Sequence, residues 1–206
     1  MTLNLETRTE RLTNNVVCIC ETVCNQHEIC IQMLEGKEYQ TLYKVMKKEQ
    51  RITRVGEVID HQIMELTPML NPTSADRRRL LASSHIAYEL IHIKDNARTV
   101  ADFANRCTDA AARQYAWEME TLLVDALRDA AAAYQKPSAQ LLDDIEELLL
   151  KTEEQLADFR ENVPSSELKQ SLIESIALTL QCIRRICEQI NYLYTGTTMD
   201  RQETRS

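Results

Sequence analysis

The sequence is poor in the residues that interrupt helices and in the aromatic residues that fill thick cores. Its 206 residues include 3 glycines, 4 prolines, 2 phenylalanines and 1 tryptophan. Sheet proteins need many turns, and turns use glycine and proline heavily, so this shortage disfavours a sheet protein. Alanine, leucine, glutamate, glutamine and arginine are abundant, and all of them favour helices or tolerate them well. The composition therefore indicates a few long helices around an aliphatic core.

Long apolar segments are also missing from the sequence. No uninterrupted apolar run approaches about 18 residues, the length that predicts a membrane-spanning helix. The opening segment MTLNLETRTERLTNN lacks the apolar centre of a signal peptide. The 7 cysteines, without an export signal, are typical of reduced thiols. We therefore expect a cytoplasmic protein with no direct membrane insertion.

Positive charge is in deficit, with 24 lysines and arginines against 32 aspartates and glutamates and a net charge of −8. Nucleic-acid binding needs concentrated cations to neutralise phosphates, so we expect no nucleic-acid partner. One tight basic cluster, Arg77–Arg79, follows a helix cap and is interpreted as a solvated first turn.

The clearest helical pattern lies between Asn71 and Asp102. Apolar residues recur there at steps of three or four, which predicts an amphipathic helix with one buried face. At about 100° per residue, Ile91, Asp95 and Asp102 fall nearly opposite that face. The predicted buried stripe consists of Ala82, Ile86, Leu90, Ile93, Ala97, Val100 and Ala104.

Similar patterns predict six helices, divided by Gly36, Pro68 with Pro72, Thr108–Asp109, Pro137, Pro164 and Gly196. The turn at Glu35–Tyr39 recurs at Tyr134–Ser138, and the helix start at Asn71–Asp76 recurs at Asn162–Glu167. Short turns between long helices make neighbouring helices antiparallel. We predict an all-α fold of two tandem antiparallel three-helix bundles, similar to spectrin repeats. The predicted domains are 1–107 and 108–196, followed by a flexible tail, 197–206.

This pattern resembles the PhoU family of phosphate-uptake regulators. Pro72 and Asp76 open a helix, as in each half of the family, and LIHIKD (90–95) then stands where the family has LERIGD. TVAD (99–102) stands for the family's NIAE, and RICE (185–188) takes that place in the second half. The segment NYLYTG (191–196) resembles the closing IYLxxG.

The resemblance implies a non-enzymatic regulator of phosphate transport and phosphate-responsive signalling that acts by restraining them. Its partners would be the cytoplasmic component of a phosphate transporter, a sensor kinase, or both. The alternative within the family is an accessory module that acts in trans on a sodium–phosphate cotransporter. Helix one is apolar on more than one side, so we also expect a homodimer or burial between the two halves.

Some members of the family hold metal clusters on E-x-x-x-D pairs, and these pairs are broken here. Ile91 replaces the glutamate that would accompany Asp95, and the pair on helix two reads Glu49 and Thr53. In the second half one register gives Ala177 and Gln181, another gives Arg184 and Glu188, and helix five keeps Asp143 with Glu147. A cluster needs several converging oxygens. We therefore expect no cofactor, the alternative being a surface divalent ion (iron, zinc or magnesium) on Asp95, Asp102, Asp143, Glu147 or Glu188.

Two further arrangements contain residue types that can carry chemistry. Cys20, Cys24 and His27 share one helix face and would suit zinc if another helix supplied a fourth ligand, but core packing is the favoured interpretation. His92 and Asp95 have the spacing of a hydrogen-bonded pair. A ferritin-like metal–carboxylate bundle requires Glu-x-x-His motifs on paired helices, and such a pair is lacking. No nucleophile–base pair or phosphate loop is recognisable, so enzymatic activity is not expected.

Overall fold

The computed structural model describes residues 2–37, 41–70, 75–136 and 138–195. Within these ranges the chain is helical and contains no strand, and the predicted all-α fold is confirmed. Pro72, Pro137, Gly196 and the tail 197–206, which entered the sequence predictions, lie outside the described residues. The helices are α1 (Thr2–Leu34), α2 (Leu42–Leu66), α3 (Ala75–Arg106), α4 (Ala110–Gln135), α5 (Ala139–Asn162) and α6 (Glu167–Thr195), with a short 3-10 turn at Thr67–Met69.

Local chemistry sets the ends of these helices. Gly36 has a φ of +80°, and the N–H groups of Gly36 and Lys37 donate to the carbonyls of Met33 and Gln32, each at 3.0 Å. This is a Schellman motif, which requires a left-handed residue that glycine adopts without strain. At the start of α4 the Asp109 carboxylate accepts from the N–H of Ala111 at 2.9 Å. The predicted helix boundaries at Gly36 and Asp109 are therefore confirmed.

Each set of three consecutive helices runs up, down and up. In the first set, the Asn15 amide of α1 donates to the Gln62 side chain of α2 at 2.9 Å. Further along α1, the Gln26 amide donates to the carbonyl of Val45 in α2 at 3.4 Å. Residue numbers therefore rise along α1 and fall along α2 at the same level. In the second set, the Asn162 amide at the end of α5 donates to the Tyr115 hydroxyl near the start of α4 at 3.3 Å, so these two helices are also antiparallel. The chain thus forms two antiparallel three-helix bundles.

The two bundles share one continuous hydrophobic core. α1 packs against α4, and α3 packs against α6, so these four helices form a central layer. α2 covers the edge formed by α1 and α3, and α5 covers the opposite edge, formed by α4 and α6. The outer helices therefore lie on opposite flanks. The division into separate domains at 107 and 108 stays a prediction.

The third helix is more deeply buried than its pattern predicts. Every member of the predicted stripe is buried, but so are Leu80, Ala87, Asn96 and Phe103, which lie outside it. The prediction of a single buried face is wrong because α6 covers a second side of α3. The Glu89 carboxylate accepts two bonds from Arg185 of α6, at 2.7 and 2.8 Å, and so joins the bundles.

Arg113 ties the junction of the two bundles together. Its guanidinium group, at the start of α4, donates to the carbonyls of Met33 and Leu34 at the end of α1, both at 2.6 Å. It also donates to Cys107 at 3.3 Å and to Ala104, at the end of α3. The last carbonyls of a helix lack intrahelical partners and carry partial negative charge. One arginine therefore caps two helices.

Candidate functional site

The surface between α2 and α3 is where the family resemblance places metal-binding acids, and a lysine occupies it. The Lys94 ammonium group lies 2.9 Å from Asp95 Oδ1 and 3.3 Å from Thr53 Oγ1. Lys94 is only 6% exposed, whereas the Asp95 side chain is 56% exposed. A cation of the protein itself therefore lies between the two positions that the resemblance assigns to metal ligands.

Apolar packing closes the rest of this surface. A Cβ atom placed on Gly56 of α2 would lie 3.0 Å from Cδ1 of Ile91, the residue that stands where the family has its glutamate. The missing side chain at Gly56 lets the two helices approach at that level. With an ammonium group and an isoleucine in place of two acids, the donor set does not fit a multinuclear metal cluster.

The contact between Gly56 and Ile91 gives a testable prediction. Replacing an interior helical glycine with alanine is worth about 1 kcal/mol in helix propensity. In the wild-type chain we expect Gly56→Ala to gain little, because Ile91 Cδ1 must move away from the new Cβ. In an Ile91→Val background, where Cδ1 is absent, the same change should stabilise by about 1 kcal/mol. Urea unfolding of the four proteins measures this, and equal gains in both backgrounds would disprove the proposed clash.

The five predicted metal ligands do not come together. Asp95 pairs with Lys94, Asp102 with Arg106 at 2.9 Å, and Glu147 with Lys151 at 2.6 Å. Asp143 is exposed on α5, and Glu188 is half-buried on α6. Among the described residues, no group of three or more histidine, cysteine, aspartate or glutamate side chains is placed to hold a metal ion. Weak binding of a single divalent ion to one or two of these carboxylates stays a prediction.

The Cys20–Cys24–His27 face is buried in the core. His27 Nδ1 lies 2.7 Å from Glu120 Oε2 on α4, and Nε2 lies 3.1 Å from the carbonyl of Ile93 on α3. Cys20 donates to the carbonyl of Leu127 at 3.4 Å. With both ring nitrogens engaged, His27 has no free position for zinc, which agrees with the favoured interpretation of core packing.

The His27–Glu120 pair joins the two bundles and was not predicted from the sequence. Burial lowers the pKa of His27, but the Glu120 charge, its hydrogen bond and the Ile93 carbonyl outweigh burial, so the pKa is raised. The sequence feature that could have indicated this pair lies in α4. There Glu120 interrupts an apolar face formed by Ala116, Leu123 and Leu127, which are all buried. A lone carboxylate on an apolar face implies a buried partner.

His92 and Asp95, which have the spacing of a hydrogen-bonded pair in the sequence, do not bond to each other in the structure. The His92 ring packs edge-on against Tyr88, with ring centroids 4.5 Å apart, while Asp95 bonds to Lys94. A single Glu-x-x-His motif does occur, at Glu89 and His92, but Glu89 is held by Arg185. This arrangement is not that of a ferritin-like metal centre, in which such motifs converge from two helices.

The first half of α2 and the whole of α5 carry opposite net charges. The first half of α2 contains five basic side chains and one acidic side chain, and α5 contains eight acidic and two basic side chains. We call the first group the basic flank (Lys44, Lys47, Lys48, Arg51 and Arg54). The second group is the acidic flank (Asp143, Asp144, Glu146, Glu147, Glu153, Glu154, Asp158 and Glu161). The basic flank is not apparent as a charge run in the sequence, because its residues are spaced along a helix face rather than contiguous.

Two three-helix bundles with a shared core define a class of all-helical bundle proteins. Residues 17–104 match the family model described as the PhoU domain. The fold is also that of the phosphate transport system regulatory protein PhoU from Streptococcus pneumoniae, with a TM-score of 0.74, 16% identity and coverage of 95% of this chain and 99% of that one. PhoU from Pseudomonas aeruginosa gives a TM-score of 0.71 and 17% identity, covering 93% of this chain and 99% of that one.

Residues 17–104 of this chain therefore match the PhoU domain, and the resemblance to the PhoU family is confirmed. No curated protein sequence matches the chain significantly. None of the described helices is both long and apolar enough to cross a membrane.

Proposed function

We propose that this protein regulates phosphate transport and phosphate-responsive signalling through protein–protein contacts, without catalysing a reaction. The observation that carries the proposal is the fold, which matches a phosphate transport system regulatory protein over 95% of this chain, together with the PhoU domain at 17–104. The proposed partners are the cytoplasmic component of a phosphate transporter, a sensor kinase, or both. The proposed setting is the cytoplasm, and the proposed active form is a homodimer that restrains uptake or signalling.

The acidic flank is the surface that best supports such contacts. α5 packs against α4 and α6 through Ile145, Leu149, Leu156 and Phe159, which fixes its outer side as a rigid face. Arg184 of α6 bonds to Glu153 at 2.6 Å and contacts Glu146 at 3.6 Å, and Lys151 bonds to Glu147 at 2.6 Å, so three carboxylates are partly neutralised. The other five extend along a helix roughly 36 Å long. A partner with a basic surface would be attracted and oriented by this charge.

Affinity capture tests the proposal directly. The tagged full-length chain, recovered from phosphate-replete cells, should bring down a transporter component or a sensor kinase. Neutralising the acidic flank with Asp143→Asn, Glu147→Gln, Glu154→Gln and Asp158→Asn should reduce that recovery at least about tenfold, because complementary charge raises the association rate.

A matched control removes the same charge elsewhere, by Glu57→Gln, Asp60→Asn, Glu118→Gln and Glu174→Gln, and should leave recovery within about twofold. Recovery of neither component by the wild-type chain would refute the proposed function. Recovery of a sodium–phosphate cotransporter instead would favour the in-trans accessory role.

For metals, we propose that the chain acts without a bound cluster. Asp143 and Glu147 lie four residues apart on α5 and offer at most two carboxylates, one of them already paired with Lys151. We expect protein exposed to iron, zinc or magnesium and then desalted to retain fewer than about one ion per chain. Elemental analysis measures this, and two or more ions per chain would show that the carboxylates assemble a site after all.

A further inference from the structure

The basic flank is a strong local exception to the charge of this protein. Five cations lie on the first half of α2 in a chain whose net charge is −8. Lys47, Lys48, Arg51 and Arg54 form no ion pair within the ranges that the structure describes. Other basic side chains in those ranges, such as Arg106, Lys151 and Arg185, are paired with carboxylates on neighbouring turns or helices. These four cations are therefore available to an external anion.

The geometry of the flank suits an extended anionic surface. The five cations span about 15 Å along one side of α2, at 1.5 Å per residue. They line a shallow groove of about 500 Å³ together with Ile29 of α1. α2 packs on α1 and α3 through the side that contains Val45, Ile52 and Ile59. Four of the five cations are exposed beside that side, and Lys48 is half-buried.

Two exposed apolar side chains border the cations. Tyr43 is 72% exposed and Met46 is 37% exposed, although most large apolar residues of this chain are buried. Tyrosine is favoured at the boundary between lipid headgroups and acyl chains, where its ring is shielded and its hydroxyl group stays hydrated. Clustered lysines and arginines beside such residues are typical of binding to anionic lipid headgroups.

We propose that the basic flank of α2 binds the headgroup surface of an anionic membrane, with the first half of α2 lying along that surface and no helix inserted. The opposite charges of the basic flank and the acidic flank orient the molecule. The acidic flank lies on the far side of the central layer, so repulsion from the membrane turns it toward the cell interior. Soluble proteins can then reach α5 while α2 is occupied.

A second copy of the chain is a weaker occupant for the same surface. The basic flank of one copy has the charge to meet the acidic flank of another. Tyr43 and Met46, however, have no role in a purely ionic contact. Self-association is therefore treated as an outcome of the test.

Vesicle sedimentation with the full-length chain tests the proposal. Binding to phosphatidylcholine vesicles that contain phosphatidylglycerol should exceed binding to phosphatidylcholine alone at least about tenfold, because each basic residue near an anionic surface adds to affinity. Binding should fall steeply as salt is raised from about 50 to about 300 mM, since the Debye length then shrinks. Equal binding to both vesicles, or no binding to either, would overturn the proposal.

Paired variants locate the site. Lys47→Gln, Lys48→Gln, Arg51→Gln and Arg54→Gln together should reduce binding to the anionic vesicles at least about tenfold. The control variant, Arg98→Gln, Arg106→Gln, Lys136→Gln and Lys151→Gln, removes the same charge from other surfaces and should change binding less than about threefold. Circular dichroism checks that both variants stay helical.

Equal losses in the two variants would refute the assignment to α2. If neutralising the basic flank instead lowers the sedimentation coefficient of the protein without changing vesicle binding, its occupant is a second copy. The inference is independent of the proposed regulation of phosphate transport, because the assay contains only protein and lipid.

Discussion

Replacing Glu120 with leucine is expected to lower the free energy of unfolding by about 3–5 kcal/mol, the usual cost of breaking a buried ion pair. Both partners are buried, His27 at 1% and Glu120 at 0% side-chain exposure. Without the carboxylate, the charged form of His27 loses its main support and the imidazole is left with one unpaired nitrogen in the core. Urea unfolding at pH 6 measures the loss.

A double variant separates the pair from its surroundings. Combining Glu120→Leu with His27→Leu should recover most of the loss, because two apolar side chains of suitable volume often replace a buried ion pair at little or no cost. If the double variant is instead as unstable as the sum of the two single variants, the two residues act independently and the pair is not the source of the effect.

The same pair makes stability depend on pH. The pKa of His27 is raised above its ordinary value of 6.5, through the Glu120 charge and the hydrogen bonds, in spite of burial. A raised pKa means that the folded state binds the proton more tightly than the unfolded state does. The contribution is therefore complete below about pH 6.5 and is lost as pH rises past the raised value. Wild-type protein should lose stability between pH 6 and pH 9 relative to the double leucine variant.

Arg113→Met is expected to cost about 3 kcal/mol, because hydrogen bonds from a charged donor are stronger than neutral ones and several are lost together. Methionine keeps much of the aliphatic packing but leaves the carbonyls at the ends of α1 and α3 without their donor. Arg113→Lys should lose less stability than Arg113→Met but still be less stable than the wild type, since one ammonium group cannot donate to as many carbonyls as the planar guanidinium group.

The control for this change is Arg98→Met, on the exposed side of α3, where the cost should stay below about 0.5 kcal/mol. Thermal and urea unfolding of the three variants measure the difference. Equal destabilisation by Arg113→Met and Arg98→Met would show that the carbonyls find other donors, such as water.

The sequence was informative about elements and weak about their contacts. The sequence predicts the apolar stripe of α3, the end of α1 at Gly36 and the start of α4 at Asp109, and the structure confirms all three. Each of these features depends on a few neighbouring residues. The second buried side of α3 was missed because it depends on α6, which lies about eighty residues further along the chain. Apolar periodicity identifies one buried face of a helix, and it does not show that a second face is also buried.

The candidate sites were harder to predict for the same reason. The resemblance placed Asp95 at a metal position, and Ile91 already argued against a cluster, but nothing local showed that the Lys94 ammonium group would turn toward Thr53. Glu120 and His27 are 93 residues apart, and Arg113 reaches carbonyls about eighty residues away. Such pairs follow from the packing of whole helices, which a single sequence does not specify.

The shared core also bears on how the two flanks came to differ. A single three-helix unit would expose the sides of α1 and α3 that α4 and α6 now cover, and it would bury them by pairing with an identical unit. Joining two units in one chain makes that pairing intramolecular and independent of concentration. In a symmetric pair of separate chains, any substitution on the outer helix appears twice. In the joined chain it appears once, so one outer helix can become basic while its counterpart becomes acidic.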